Sequence, residues 1–415
     1  MTKPLPTPTA ERIQTIDVLR GFALLGILFM NIQAMSMIQA AYSNPTAFGD
    51  LNGLNYHVWW IGHVFFDQKM MTLFSLLFGA GIALMTDRAF NKTGKSAGLH
   101  YYRMLWLMVI GMTHAYCIWF GDILVSYSIC GMVFYWFRRW SPWILFCLGL
   151  AALSVPPLIN VALNQLFSLL PEPDLASATA EFAATWNPPL AEVQKEISAY
   201  QGTWVEQMQY RVKTAVFFQT MLFGLWSFWR VGGLMLIGMA LFRWGVFSAA
   251  GSNGTYVAMA VIGLGAGLPT VLMGIDQFWQ HEWDVMYCMF AGTHYNYFGG
   301  LLVAMGYIGC VMLLVKNRLL PKFLMAALGS VGQMALTNYL LHSVLGTLIF
   351  YGHGFGLFGE VSRSYQALIV VSIWVFQLWF SSWWLSRFQF GPMEWLWRSL
   401  TYWQPQPFKA AVANN

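Results

Sequence analysis

The chain has 415 residues, 58% hydrophobic and only 9% charged, with a mean hydropathy of +0.53. A soluble domain carries about 25% charged residues, so this balance excludes one and points to many membrane crossings. The net charge of +5 comes with no Walker loop, dinucleotide fingerprint or basic nucleic-acid patch, and membrane orientation explains it better than an acidic partner.

The organising stretch is Arg12–Asn31, RIQTIDVLRGFALLGILFMN. It opens on polar residues and then runs apolar past Asn31 through Met35, Met37 and Ile38, long enough to span about 30 Å of hydrocarbon. The run is too long for a signal-peptide core. Asp17 and Arg20 are three apart, so on a helix they share a face and can pair. An anchor at the start of the helix and a polar mouth on the cytoplasmic side both account for that pair.

Further helices are expected near 58–86, 101–119, 122–137, 142–165, 214–242, 253–275, 293–315, 323–350 and 364–386. The fold class is therefore an all-α polytopic membrane protein with about ten transmembrane helices. Sixteen of the 22 basic residues then fall on one face, including Arg20, Arg88, Lys95, Arg138 and Arg387. The positive-inside rule makes that face cytoplasmic and puts both termini there. Lys69 is expected near the opposite rim, and Arg230 is left inside the membrane.

The chain divides into residues 1–165, with five spans, an outer loop or cap over 166–213, and residues 214–415, with the other five. Asn187-Pro188-Pro189 breaks the outer segment, and Leu190–Arg211 has helical character. A cap over an outer cavity and a solvated loop are both compatible with it. The five cysteines form no disulfide framework and no metal spacing.

Ionisable residues inside spans are functional candidates because each costs several kcal/mol unless paired or wetted. Seven of the eight histidines fall in spans or toward the outer face. His63 and Asp67 are four apart, so a carboxylate can orient the imidazole. A plain aromatic belt with Trp59, Trp60, Phe65 and Phe66 explains the same stretch without chemistry. His114 lies near the outer end of the third span, and Asp122 either caps the fourth or also reaches His114. Arg230 needs a carboxylate, backbone carbonyls or a ligand anion, with Asp122 and Asp67 as candidate partners. Asn338, Tyr339, His342 and Ser343 form a polar stripe in the ninth span, which helix–helix contacts explain as well as a site does.

Four stretches carry a family resemblance: the first helix, LFSLLFGAGIAL (73–84), WFGDILVSYSICG (119–131), and 332–359 with FGPMEWLWRSLTYW (390–403). Together they resemble the YeiB family of bacterial inner-membrane proteins, whose C-terminal domain is of unknown function. The first two helices more distantly resemble transmembrane acyltransferases such as heparan-alpha-glucosaminide N-acetyltransferase. That resemblance implies a histidine ten residues before an aspartate, here His57 and Asp67.

Two functional classes stay open, with a non-catalytic scaffold behind them. In the first, an enzyme takes an acyl group from a cytoplasmic acyl-thioester, with acyl-CoA as co-substrate, to an envelope glycan or small-molecule acceptor. His57, His63 and Asp67 would be catalytic. Asp17, Arg20, Asn31, His114, Asp122, Arg230, Asn338 and His342 would line the substrate path. In the second, a permease carries a small polar or anionic solute through the same vestibule. Expected partners are the lipid bilayer of the bacterial inner membrane and, as an open alternative, a second copy of the chain. No metal, covalently held cofactor or nucleic acid is expected.

Overall fold

The computed structural model describes residues 13–409; Lys3 and Arg12 lie outside the described residues. The described chain is helical, with one isolated bridge between Phe388 and Lys409. In order the helices are α1 (Gln14–Ser36), α2 (Ala40–Ser43), α3 (Gly53–Ile61), α4 (Lys69–Thr93), α5 (Ala97–Cys117) and α6 (Leu124–Phe134). Then follow α7 (Pro142–Ser168), α8 (Glu172–Trp186), α9 (Leu190–Gln201), α10 (Trp204–Gln219), α11 (Phe228–Arg243) and α12 (Asn253–Gln280). The last are α13 (Val285–Tyr287), α14 (Thr293–Lys316), α15 (Lys322–Gln333), α16 (Ala335–Phe350), α17 (Arg363–Leu385) and α18 (Pro392–Tyr402).

Among the described residues, seven helical stretches are long and apolar enough to cross a membrane, eight with the bent pair α15–α16. The 21-residue α5 and the shorter apolar stretch Leu124–Phe137 occupy the positions expected for the third and fourth spans, and only with them is ten reached. The chain is an all-α polytopic membrane protein. Its most apolar windows separate centre from rim: 72% of the α1 window is buried, against 22% for α7 and α17 and 28% for α12. A helix whose apolar surface stays uncovered faces lipid, so α1 is the central post and those three form the perimeter.

Without a hydrophobic force between helices in lipid, close approach depends on small residues. A Cβ at Gly79 of α4 would collide with the Met235 carbonyl of α11, and one at Gly238 of α11 with the Leu76 carbonyl of α4. The two backbones therefore touch at reciprocal glycines. The same device joins α1 to α15, where Gly332 abuts the Asp17 carbonyl and Gly21 the Leu328 carbonyl.

The α15–α16 pair bends by 81°. A bend inside the bundle strands the first amides of α16. Glu394 of α18 takes them up: Oε1 accepts from Leu336 N at 2.6 Å and Thr337 N at 3.0 Å, and Oε2 accepts from the Thr337 hydroxyl at 2.6 Å. Met393 N in turn donates to Thr337 Oγ1 at 3.0 Å. This is the physical reason the 390–403 motif accompanies the ninth span.

The segment over 166–213 is helical and docked. Its break lies at Asn187–Pro189, as the prolines dictate, and a second falls at Gly202, so Leu190–Arg211 is two helices. Thr203 closes a capping box with Glu206 to start α10. Trp186 Nε1 donates to Trp283 O at 2.9 Å, Gln39 N to Glu196 Oε1 at 3.0 Å, and Gln201 Nε2 to Phe358 O at 2.8 Å. Val193 and Tyr200 join an apolar cluster with Met35, Met37 and Ala41. The segment is thus a cap over the end of α1.

Candidate active site and membrane-embedded polar cluster

The span Gly53–Thr93 is broken in its middle. A π-helical turn covers Gly62–Phe66, Asp67 leaves the helical region, and Gln68 sits in the left-handed region at φ 60°. A non-glycine residue at positive φ is strained, and irregular backbone at membrane depth is tolerated where it lines a cavity or is covered by protein. Here it does both. His63 and Asp67 open onto a small cleft of about 30 Å³ between α1, α3 and α17, lined also by Gln33, Tyr42, Trp59, Arg363 and Gln366.

Within the cleft His63 Nδ1 stands 3.7 Å from Asp67 Oδ2, and the imidazole stacks on Trp59 with centroids 5.6 Å apart. His63 Nε2 has no hydrogen-bond partner among the described residues. The Tyr42 hydroxyl donates to Asp67 Oδ1 at 3.4 Å. Arg363 closes the outer wall, anchored by donating to the carbonyls of Asp50 at 3.0 Å, Pro45 at 2.9 Å and Phe48 at 3.1 Å.

Behind the break lies a cluster that sequence reasoning missed. Lys69, expected near the rim of the opposite face, is fully buried within the bundle. Its Nζ donates to Asn296 Oδ1 at 2.5 Å and to the His63 carbonyl at 2.7 Å. Asn296 Nδ2 donates to Asp67 Oδ2 at 2.6 Å. The left-handed step at Gln68 is what turns Lys69 inward. One turn further, Thr72 Oγ1 accepts from Arg230 Nη2 at 3.3 Å. Arg230 therefore has a polar partner but no ion pair among the described residues, so neither Asp67 nor Asp122 is its direct partner. The ring of Tyr297 lies 4.2 Å from its guanidinium carbon.

Three π-helical turns frame this cluster. Gly62–Phe66 precedes Asp67, Phe223–Ser227 precedes Arg230, and Cys288–Gly292 precedes Asn296. Such turns insert a residue and re-aim the side chains that follow, and they recur at functional sites. The visible signal was a lysine and an asparagine in otherwise apolar spans. The π turns left no trace in the sequence.

The other candidates are dispersed. His57 is exposed on α3, its ring 5.7 Å from Tyr56, and does not line the cleft. His114 Nδ1 donates to Asp122 Oδ1 at 2.8 Å, both side chains 1% exposed, while Asp122 Oδ2 accepts from Val125 N at 2.8 Å. Asp122 thus both caps α6 and holds His114, apart from the cleft. Tyr339 packs on this pair at 5.3 Å and bridges Gly121 O and Ile123 N. His342 Nε2 donates to Gln377 Oε1 at 2.8 Å, and Asn338 Nδ2 donates to Ser381 Oγ at 2.9 Å, so this stripe ties α16 to α17. Asp17 and Arg20 pair at 3.0 Å, with Arg20 also reaching the Gly332 carbonyl at 3.4 Å. Asn31 is half-buried between Met30 and Ile32, which line the cleft. Beside α1 at the Arg20 end, an apolar groove of about 280 Å³ runs between α14 and α15, lined by Val18, Phe22, Val311 and Leu328 among others.

A comparison with known proteins bears on the whole chain. It is 31% identical over 403 residues to an uncharacterised protein, YeiB, of Escherichia coli, covering 94% of this chain and 96% of that one. The chain belongs to the YeiB family. A second member, the uncharacterised YxaH of Bacillus subtilis, is 30% identical over 98% of this chain and 99% of its own. Residues 241–404 match a domain described as a protein of unknown function, DUF418. That match runs from the end of α11 through α18 and includes both Asn296 and the Glu394 cap.

Proposed function

We propose that this YeiB-family protein is a bacterial inner-membrane acyltransferase. It moves an acyl group from a cytoplasmic acyl-thioester, acyl-CoA in the simplest case, to a hydroxyl or amine acceptor in the outer cleft. The observation that carries the proposal is His63: one ring nitrogen faces Asp67 across 3.7 Å, the other is unpartnered, and the ring lines a cleft. A general base needs that arrangement, and catalytic contacts are often long before substrate binds. In the reaction His63 Nε2 takes the acceptor proton, the acceptor oxygen or nitrogen attacks the thioester carbonyl, and the C–S bond breaks. The departing thiolate takes the proton back from the imidazolium. Asp67 keeps the imidazole oriented, and the apolar character of the separate groove lined by Val18 and Phe22 is compatible with holding an acyl chain.

A second reading has its own support. The broken span with Asp67, Lys69 and Asn296 at its break is the kind of element carriers build around a solute. The purified protein in liposomes separates the two. With labelled acetyl-CoA and membrane extract as acceptor source, free thiol and labelled product should appear together. His63→Ala should lower that rate by about 10²–10⁴-fold while leaving the melting temperature near the parent's. An unchanged rate in His63→Ala removes the histidine from catalysis, and solute uptake without thiol release favours the carrier.

A further inference from the structure

We propose that Arg230 binds a small planar carboxylate at the centre of the bundle, on the Nε–Nη1 edge of its guanidinium, for which the described residues supply no hydrogen-bond partner. Charge comes first. Lys69 and Asp67 are joined through Asn296, so they compensate each other within the cluster. Asp67 is also within electrostatic range of Arg230, so one carboxylate faces two cations and the cluster keeps one net positive charge. Arg230 is 0% exposed, and no carboxylate pairs with it among the described residues. Nη2 donates to the Thr72 hydroxyl, and the Tyr297 hydroxyl also bonds the guanidinium; neither partner carries a charge. Nε and Nη1 are buried without a hydrogen-bond partner among the described residues. A guanidinium does not shed its proton in a protein, so an unmatched buried arginine stands against a desolvation penalty of several kcal/mol.

Shape decides the ligand class. The Tyr297 ring lies 4.2 Å from the guanidinium carbon and the Trp226 ring 5.4 Å away. Aromatic rings favour the cation without neutralising it. A fork of coplanar donors beside aromatic walls matches a carboxylate with a small apolar body. One net positive charge also suits a monovalent anion better than a phosphate dianion. Two π-helical turns, Phe223–Ser227 and Cys288–Gly292, immediately precede Arg230 and the Asn296–Tyr297 pair, as at sites where side chains are re-aimed toward a ligand. Beside the cluster, a Cβ at Gly300 would meet only ordinary contacts, 3.5 Å from Gln68 and 3.8 Å from Asn296 and Lys69, so the packing there leaves a methyl-sized gap. The site is independent of acyl transfer and holds whether or not His63 is a catalytic base.

The test uses the full chain purified in detergent, without any thioester. Sodium acetate and sodium benzoate are titrated to about 100 mM against sodium chloride at equal ionic strength, and the melting temperature is followed by tryptophan fluorescence, with calorimetry for direct binding. The carboxylates should raise the melting temperature in a saturable way and chloride should not. Arg230→Lys, which keeps the charge and loses the fork, should weaken carboxylate binding at least about tenfold, and Arg230→Gln should abolish the shift. A parent protein that responds to no carboxylate overturns the proposal, and so does an Arg230→Lys protein that responds like the parent. Equal protection by chloride overturns the carboxylate assignment. Because wild-type binding is itself decisive, misfolding of the Gln variant leaves the result readable. Loss of acyl transfer in His63→Ala with carboxylate binding retained separates this site from the catalytic proposal.

Discussion

Asn296 holds Asp67 and Lys69 together: its amide donates to the carboxylate at 2.6 Å and its carbonyl accepts the ammonium at 2.5 Å. A carboxylate and a lysine two residues apart on a continuous helix would point different ways. The break at Gln68 and the reach of α14 make them neighbours of one amide. Asn296→Leu removes both contacts and leaves two buried charged groups short of partners. It should lower stability by about 1–3 kcal/mol, seen as a lower melting temperature in detergent. Asn296→Asp should be worse than Asn296→Gln, because it sets a second carboxylate against Asp67. Equal melting temperatures for the Leu variant and the parent would show that the bridge carries no stability.

The glycines of α4 and α14 should respond in opposite senses. Gly79→Ala drives a methyl into the Met235 carbonyl and must separate α4 from α11, at a cost of about 1–3 kcal/mol. Gly300→Ala meets nothing closer than 3.5 Å and gains helix propensity, so it should be neutral or stabilising by up to about 1 kcal/mol. Parallel melts of the two variants check the contrast. A stable Gly79→Ala protein would contradict the close approach of the two backbones.

Glu196 predicts a pH dependence outside the spans. Burial on α9 raises its carboxyl to about 7 from an ordinary 4.5, against the opposing hydrogen bond from Gln39 N. Between those values the folded chain keeps a proton that the unfolded chain releases. The folded state then binds more protons, so this group's contribution to stability falls as pH rises through the window. Glu196→Gln keeps an acceptor for Gln39 and removes the charge. It should melt above the parent at about pH 8 and level with it below about pH 4.5. A difference that is constant with pH would show that Glu196 does not titrate in this range.

The basic residues predict an orientation that labelling can test. Ser43 and Lys95 are both exposed and are expected on opposite faces, Ser43 outside. With the two exposed cysteines, Cys117 and Cys147, replaced by serine, single cysteines at 43 and 95 should react with an impermeant maleimide from opposite sides of intact cells and inverted vesicles. Labelling of both from one side would reverse or discard the assigned topology.

Much of the architecture was legible because it rests on local chemistry. The apolar runs give α1, α5, α7, α12, α14 and α17 to within about five residues but not the breaks between α3 and α4, α10 and α11, and α15 and α16, and the prolines at 188 and 189 place the break between α8 and α9. The Asp17–Arg20 pair is fixed by helical spacing, His63 and Asp67 stay neighbours although a π turn replaces the regular helix between them, and His114 meets Asp122 across one short turn. The family was legible for a related reason, since its motifs are continuous stretches; one of them, 390–403, supplies the carboxylate that caps α16. The cluster behind the cleft was not legible. Lys69 and Asn296 are 227 residues apart, and Arg230 and Thr72 are 158 apart. Their meeting depends on π turns and on a left-handed residue that apolar periodicity does not encode, because a one-residue insertion leaves hydropathy unchanged while rotating everything after it by about 100°. The sequence determined that the chain crosses the membrane and where; only packing around α1 decided which polar residues face one another, because in lipid that choice depends on the close fit of glycine-lined helices.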